Sequence, residues 1–319
     1  MSWRTVVISS RCKLDCRMGY LVVRGETVSR VFLDEIALLM IENTAVSLTA
    51  CLLAELVARK VRVVFCDEKR DPAAELTPYF GSHDCARKLR RQMAWTEADR
   101  GAVWAAIVVE KIRNQEMVLR RAGRTAAAEQ LARYSAGVEF ADATNREGHA
   151  AKVYFNALFG MDFRRRSSED PVNAALNYGY GLLLSACNRE VAANGYLSQL
   201  GIFHDNVFNR FNLGCDLMEP FRPLVDARVF EQPPAQFGVE EKHRMLALLH
   251  APVRIAGREQ TVLNAIGIYA KSVFDALNGC GAAGVRFPDL GAAGLCACSL
   301  TCRRKRRKIG APTAGFARR

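Results

Sequence analysis

The sequence predicts an α+β protein of two domains, in which a small β-rich domain precedes a larger all-helical domain. Short apolar runs of strand length fill residues 4 to 66, whereas from Ala86 to about Leu277 the apolar residues recur at helical spacing. Between these regions, residues 72 to 82 hold the turn residues typical of a connection. With 319 residues, half of them apolar, the chain is long enough to form two unequal cores.

Five runs rich in Val, Ile and Leu predict the strands of the N-terminal domain: TVVIS, YLVVR, SRVFL, ALLMI and VRVVF. Before the last run lies LTACLLAELVARK, which has the apolar pattern of a helix, and Ser47 is placed to cap it. The last two runs and the helix between them therefore predict a strand, helix, strand crossover.

Four long segments predict helices in the second domain, because each has one broad apolar face at helical spacing. They are VWAAIVVEKIRNQEMVLRRA, HAAKVYFNALFG, AALNYGYGLLLSACNREVAAN and TVLNAIGIYAKSVFDAL. The end of the chain is rich in Gly, Ala and Cys and then strongly basic, so we expect this tail to be mobile. The predicted boundaries are a β-rich domain at 1–80, a linker at 81–87, a helical domain at 88–279 and the tail at 280–319.

Several classes of protein are disfavoured by composition. No apolar window is long enough to span a membrane, and the N-terminus lacks the zones of a signal peptide. The eleven cysteines are irregularly spaced, and several lie inside apolar runs, which is typical of buried thiols in a reducing compartment. These features predict a cytoplasmic protein without a membrane partner.

The net charge of +12 is unevenly distributed. Residues 303–319 carry eight of the 45 Lys and Arg residues and no acid, which leaves 37 basic against 33 acidic side chains in the rest of the chain. Clusters of basic residues within positions 1–302 could neutralise DNA phosphates. Any single cluster could equally well be an ordinary solvent-exposed surface. The candidate DNA contacts are Lys88, Arg90, Arg91, Arg164, Arg165 and Arg166.

Four side chains could hold a divalent cation if the fold brings them together: Glu147, His204, Asp216 and Glu219. Each also has a structural alternative. Thr144 and Glu147 have the spacing of a capping box, which is the favoured interpretation from spacing alone. A lone histidine in a loop-like segment such as GIFHDN is more often a structural hydrogen-bonding group. Asp216 and Glu219 would share one face of a helical turn, or mark a helix start.

The segments around these residues resemble a known protein family. They are SWRTVVI, VFCDEKRDPAAELTPYFGSHD, NREGHAAKVYFNALFG, DPVNAALNYGYGLLLSACNREVAANG and FNRFNLGCDLMEPFRPLVD. They are similar to segments of the CRISPR-associated endonuclease and integrase that is the catalytic subunit of spacer acquisition, in its type II form. The resemblance covers about residues 2 to 290 and implies the same order of a β-rich dimerisation domain and a helical catalytic domain.

The resemblance implies that Glu147, His204 and Glu219 bind a catalytic Mn²⁺ or Mg²⁺ ion, with Asp216 in a supporting catalytic position. Two carboxylates and one imidazole suit either ion. The implied reaction is the attack of the 3′-hydroxyl of a short foreign DNA fragment on a phosphodiester of a CRISPR repeat array, as part of antiviral defense. With water as the nucleophile, the same site would hydrolyse DNA as an endonuclease.

The resemblance also implies partners. These are double-stranded DNA, as fragment and as repeat array, a second copy of the chain in a homodimer, and a small ferredoxin-like adaptation subunit in a heterohexamer. The type II effector nuclease is a further candidate partner.

The sequence is also compatible with two other functions. One is a stand-alone metal-dependent nuclease on branched DNA. The other is a non-enzymatic DNA-binding protein of the same fold, in which Glu147 caps a helix and His204 is a core residue. A tyrosine recombinase is excluded because Val207 stands where its His-x-x-Arg motif needs Arg.

Overall fold

The structure, a computed structural model, describes residues 4–68, 70, 72–76, 83–165 and 170–290. Its strands are β1 Arg4–Ile8, β2 Lys13–Arg17, β3 Tyr20–Arg24, β4 Val28–Phe32, β5 Ile36–Ile41, β6 Ser47–Leu48, β7 Arg62–Cys66, β8 Pro72–Leu76, β9 Pro252–Ile255, β10 Arg258–Thr261 and β11 Pro288–Asp289. Its α-helices are α1 Ala50–Ala58, α2 Cys85–Met93, α3 Glu97–Arg121, α4 Thr125–Ala136, α5 Arg146–Phe159, α6 Pro171–Ala193, α7 Asn212–Met218, α8 Arg222–Glu231, α9 Val239–Ala247 and α10 Val262–Asp275.

Two four-stranded sheets form the N-terminal region. The first has the order β1-β5-β7-β8, with β1, β5 and β7 parallel and β8 antiparallel to β7. All six residues of β5 are buried, as expected for a central strand covered on both faces. The second sheet has the order β4-β3-β2-β6. Met18 and Gly19, both with positive φ, form the tight turn between β2 and β3.

Strand β5 contributes to two hydrophobic cores. Ile36 and Leu39 pack in a core within the N-terminal region, where Leu52 of α1 also lies. Leu38 and Met40 belong instead to the large core of the helical region. The first sheet is therefore packed directly against the helices.

The 25-residue helix α3 runs through the helical region and contacts α4, α5 and α8. Its buried face includes Trp104, Ile107 and one charged residue, Lys111. Thr96 caps the start of the helix, because its side chain accepts a hydrogen bond from the backbone N–H of Asp99 at 3.1 Å. No helix in the described ranges is long and apolar enough to cross a membrane.

The prediction that the second domain is all-helical is wrong in one place. Strands β9 and β10 form a hairpin whose two-residue turn, Ala256 and Gly257, has positive φ at both positions. Strand β11 pairs with the open edge of β9, so the start of the predicted mobile tail is folded. Leu290 is only 1% exposed. The rest of the predicted tail lies outside the described residues.

Three smaller sequence predictions also need correction. Thr49, and not Ser47, caps α1, because Ser47 is already committed to β6. Part of the predicted connection forms β8, which adds an edge strand beside β7. Helix α2 begins at Cys85, inside the predicted linker 81–87.

Candidate metal centre

The four predicted site residues come from separate elements of the helical region. Glu147 lies in the first turn of α5, His204 in the loop after α6, Asp216 in α7 and Glu219 in the short 3₁₀ turn that follows α7. The structure brings Glu147 and Glu219 together around Lys111. The Lys111 Nζ atom lies 2.5 Å from Glu147 Oε1 and 2.5 Å from Glu219 Oε2. The two carboxylates therefore surround one cation position.

Glu147 does not act as the capping residue that its spacing suggested. The cap of α5 is Asn145, whose side chain accepts from the backbone of the first turn, and Thr144 Oγ1 is buried without a hydrogen-bond partner. Asp142, and not Thr144, accepts a hydrogen bond from the Glu147 backbone N–H at 3.0 Å, and the Glu147 side chain accepts from Lys111. Asp142 and Asn145 both have positive φ, a strained conformation that often accompanies functional sites.

Glu219 is 2% exposed and lies between two cations. Its Oε1 atom accepts from Arg222 Nη1 at 2.8 Å. Its Oε2 atom is buried and forms an ion pair with Lys111 Nζ at 2.5 Å. Burial alone would raise the pKa of Glu219, but Arg222 and Lys111 hold it well below its usual range, so the side chain is anionic. Asn114 donates to Pro220 O at 2.9 Å and fixes this turn to α3.

Asp216 holds the histidine loop rather than facing Lys111. Its fully buried carboxylate accepts from the backbone N–H groups of Ile202, Phe203 and His204 at 2.6, 3.2 and 3.1 Å. Its Oδ1 atom also lies 2.6 Å from His204 Nδ1. This bond raises the pKa of His204 against the effect of burial, and the carboxylate of Glu219 adds to the rise. His204 Nε2 is the ring nitrogen that remains for a ligand.

Neighbouring side chains support the histidine loop. Trp104 stacks on Phe203 with ring centroids 4.5 Å apart and meets the His204 ring edge-on at 5.7 Å. Gln92 of α2 donates to Leu197 O and accepts from Leu197 N, both at 2.8 Å. Sequence reasoning missed these supports, because each pairs groups that are far apart along the chain.

Glycine is required at position 201, because other atoms of the histidine loop and of Asp216 lie too close to leave room for a side chain. A Cβ atom at this position would overlap His204 O and lie 2.8 Å from Asp216 Oδ2. We therefore expect Gly201→Ala to displace His204 and to lower the stability of the protein by about 1–3 kcal/mol. Thermal unfolding would measure this, with Gly181→Ala as the control, since a Cβ at Gly181 meets no atom within 4 Å. Equal melting temperatures for the two variants would contradict the prediction.

A second buried layer lies behind Glu219. Arg222 stacks over Tyr180, with its Cζ atom 4.2 Å from the ring centroid. The Tyr180 hydroxyl donates to Asp226, which is 1% exposed. Burial raises the pKa of Asp226 to about 6, and the Tyr180 hydrogen bond and Arg222 oppose the rise.

This layer predicts a pH dependence of folding. Because the folded-state pKa of Asp226 is raised from 3.8, its contribution to stability is complete below about pH 4 and is lost as pH rises through 6. Over this pH range, we expect the Asp226 carboxyl to lower the free energy of unfolding of the wild-type protein by about 3 kcal/mol. Asp226→Asn should show no such decrease. Urea unfolding between about pH 4 and 8 would test it, with the exposed Asp275→Asn as control. Parallel curves for Asp226→Asn and the wild type would refute the assignment.

The candidate DNA contacts differ in their surroundings. Arg90, Arg91 and Arg164 are exposed. Lys88 lies 3.6 Å from Asp84. The remaining described candidate is Arg165, which donates to Asn173 at 2.5 Å and to Asn177 at 2.9 Å. Arg166 lies outside the described residues.

No group of three or more His, Cys, Asp or Glu side chains in the described part of the chain is already arranged as a metal site. Glu147 and Glu219 instead face the Lys111 ammonium, while His204 faces Asp216. The residues nevertheless fit a divalent cation. Two carboxylates meet at one cation, and both of them help to raise the pKa of the His204 imidazole.

Comparison with known proteins supplies independent information. Residues 5–233 match the family described as CRISPR associated protein Cas1. The chain is 35% identical over 272 residues to the CRISPR-associated endonuclease Cas1 of Neisseria meningitidis serogroup C (strain 8013), an alignment that covers 83% of this chain and 89% of that protein.

Two solved structures share the fold. A casposase bound to integration product has a TM-score of 0.70 and 17% identity over 87% of this chain and 91% of its own. A Cas6-RT-Cas1–Cas2 complex has a TM-score of 0.68 and 17% identity over 88% of this chain, which spans only 36% of that longer chain. At these identities the likeness is one of fold alone.

Proposed function

Since the chain belongs to the CRISPR-associated Cas1 family, we propose that it is a divalent-metal-dependent DNA integrase that inserts short foreign DNA fragments into a CRISPR repeat array. The observation that carries this proposal is the convergence of Glu147 and Glu219 on one cation position, from which both carboxylates act electrostatically on His204. Such a site suits phosphodiester chemistry, because a phosphate needs positive charge and not a covalent protein nucleophile.

In this proposal Glu147, His204 Nε2 and Glu219 hold Mn²⁺ or Mg²⁺. The bound ion would supply positive charge at the scissile phosphate and at the departing oxygen. Asp216 keeps the His204 ring oriented through Nδ1, and Arg222 keeps Glu219 anionic and in place. The attacking group is the 3′-hydroxyl of the incoming fragment, so endonuclease activity is the same reaction with water in its place.

DNA would be held mainly through its phosphates. Arg90 and Arg91 on α2 are the strongest candidates, because they are exposed on a helix that Gln92 ties to the His204 loop. Arg164 is a third candidate. Arg165 is less available, since its guanidinium is already bonded to two asparagines.

The partners belong to the same proposal. A homodimer would form through the N-terminal region, where the exposed rings of Tyr20 and Phe32 pair at 5.3 Å next to the turn that holds exposed Met18. A small ferredoxin-like subunit would join two such dimers in a heterohexamer, consistent with the Cas1–Cas2 complex of similar fold. We also propose that the type II effector nuclease is a further partner and that the protein acts in the cytoplasm.

A strand-joining assay tests the proposed function. A labelled short duplex, a supercoiled plasmid with a repeat array and the small partner subunit are incubated with the protein and Mn²⁺. We expect the label to become covalently joined to the plasmid only when Mn²⁺ is present and the duplex carries free 3′-hydroxyls. A matched duplex with dideoxy ends is the control.

The other functions give different products in this assay. Plasmid nicks without transfer of label would indicate a stand-alone nuclease. Binding without nicks or transfer, at any Mn²⁺ concentration, would indicate a DNA-binding protein without catalytic activity. Either result would replace the proposal.

A further inference from the structure

Lys111 is a charged residue at the centre to which the proposed function assigns no role. Its side chain is 8% exposed, and it reaches Glu147 and Glu219 from the middle of α3. Its Nζ atom lies 2.5 Å from an oxygen of each carboxylate, a geometry that stabilises the ammonium form. A buried lysine with two carboxylate partners occupies the place where a divalent cation would bind.

The charges show why Lys111 cannot keep this position when a metal binds. Together with Arg222, it balances the two carboxylates in the metal-free protein. A divalent cation on the same oxygens would add two positive charges within a few ångströms of the ammonium, in a buried site where repulsion is strong. Either the metal or the ammonium must move.

The ammonium is the group that can move. The backbone of α3 is fixed at this point, since Val108 and Ile112 on either side of Lys111 are fully buried. The four-carbon side chain of lysine can rotate about these fixed neighbours. A DNA phosphate supplies the new anionic partner, because the scissile group would lie against the metal and so within reach of Nζ.

We propose that Lys111 is a catalytic residue that exchanges Glu147 and Glu219 for the scissile phosphate when the metal and DNA bind. This inference rests on the proposed function. The attacking 3′-hydroxyl loses its proton to solvent water as the new P–O bond forms, and the departing oxygen gains a proton from solvent water as the old P–O bond breaks. Lys111 keeps its own proton and donates hydrogen bonds to a non-bridging phosphate oxygen throughout.

The proposal predicts opposite changes in metal binding and catalysis for Lys111→Gln. Without the competing ammonium, the DNA-free protein should bind Mn²⁺ about tenfold more tightly, as measured by calorimetry. At saturating Mn²⁺, single-turnover joining should fall about 10²-fold, because one donor to the phosphate is lost. Lys152→Gln is the control, since it removes an exposed lysine from α5, and should match the wild type in both measurements.

If Lys111 has only a structural role, Lys111→Gln should bind Mn²⁺ more weakly than the wild type. Weaker binding, unchanged binding or joining at the wild-type rate would each overturn the proposal.

If Lys111→Gln does not fold, an experiment on the wild-type protein tests the proposal instead. With lysine labelled at Nζ, magnetic resonance should show faster exchange of the Lys111 ammonium with water after Mg²⁺ is added, and no change overturns the proposal. A wild-type protein that binds no Mn²⁺ overturns the proposed function itself, before any variant is compared.

Discussion

Glu219→Gln is expected to lower metal-dependent strand joining by about 10³-fold or more, because several kcal/mol of charge stabilisation by the metal depend on this carboxylate. An amide keeps the size of the side chain and one acceptor, but it removes the negative charge that faces Lys111 and Arg222. The single-turnover rate at saturating Mn²⁺ is the measurement.

Two controls separate chemistry from folding in this experiment. Glu139→Gln removes an exposed carboxylate a short distance before α5 and should join DNA at the wild-type rate. Glu219→Gln should be less stable than the wild type, because Lys111 and Arg222 are left without a full counter-charge. Circular dichroism identifies a temperature at which this variant is folded, and the assay is run there. A folded Glu219→Gln that retains more than about a tenth of the wild-type rate would remove Glu219 from the metal centre.

Asp216→Asn is the second change with a large expected effect. The carboxylate accepts three backbone hydrogen bonds and contacts His204 Nδ1, whereas an asparagine presents an NH₂ group to these donors. At least one donor is then left buried without an acceptor, at a cost of about 1–3 kcal/mol. The His204 ring loses its fixed orientation, and we expect Mn²⁺ affinity to fall about 10–100-fold.

Asp205→Asn is the matched control for this variant, because Asp205 is an exposed carboxylate in the same loop. Calorimetry with Mn²⁺ and urea unfolding give the two readouts. If Asp216→Asn keeps wild-type Mn²⁺ affinity while folded, the carboxylate does not orient His204 for a metal.

Much of the architecture could be predicted from the sequence. The resemblance to the Cas1 family is confirmed, and so is the order of a β-rich region followed by a mostly helical one. These predictions succeeded because strand and helix periodicity are local properties of a chain. The β9–β10 hairpin was missed because its strands are four residues long and its Ala256-Gly257 turn lacks the usual Asn-Gly or Asp-Gly signal.

The site residues could be predicted less well than the fold, because their roles depend on contacts between distant parts of the chain. Spacing favoured Glu147 as a capping residue, whereas Asn145 is the cap and Glu147 faces Lys111. Nothing in KIRNQ, read as a helix, indicates that its lysine is buried, because the two acids that stabilise it come from other elements. Asp216 is similar, since its partners lie in a loop that precedes α7.

Glu147, His204 and Glu219 are proposed to bind one catalytic cation. Anomalous diffraction from crystals soaked in Mn²⁺ would locate that cation. We predict a manganese peak about 2.0–2.3 Å from an oxygen of each glutamate and from His204 Nε2, with Lys111 Nζ displaced from both carboxylates. If Lys111 stays between the two glutamates at saturating Mn²⁺ and the metal binds elsewhere, these three residues do not form the metal site.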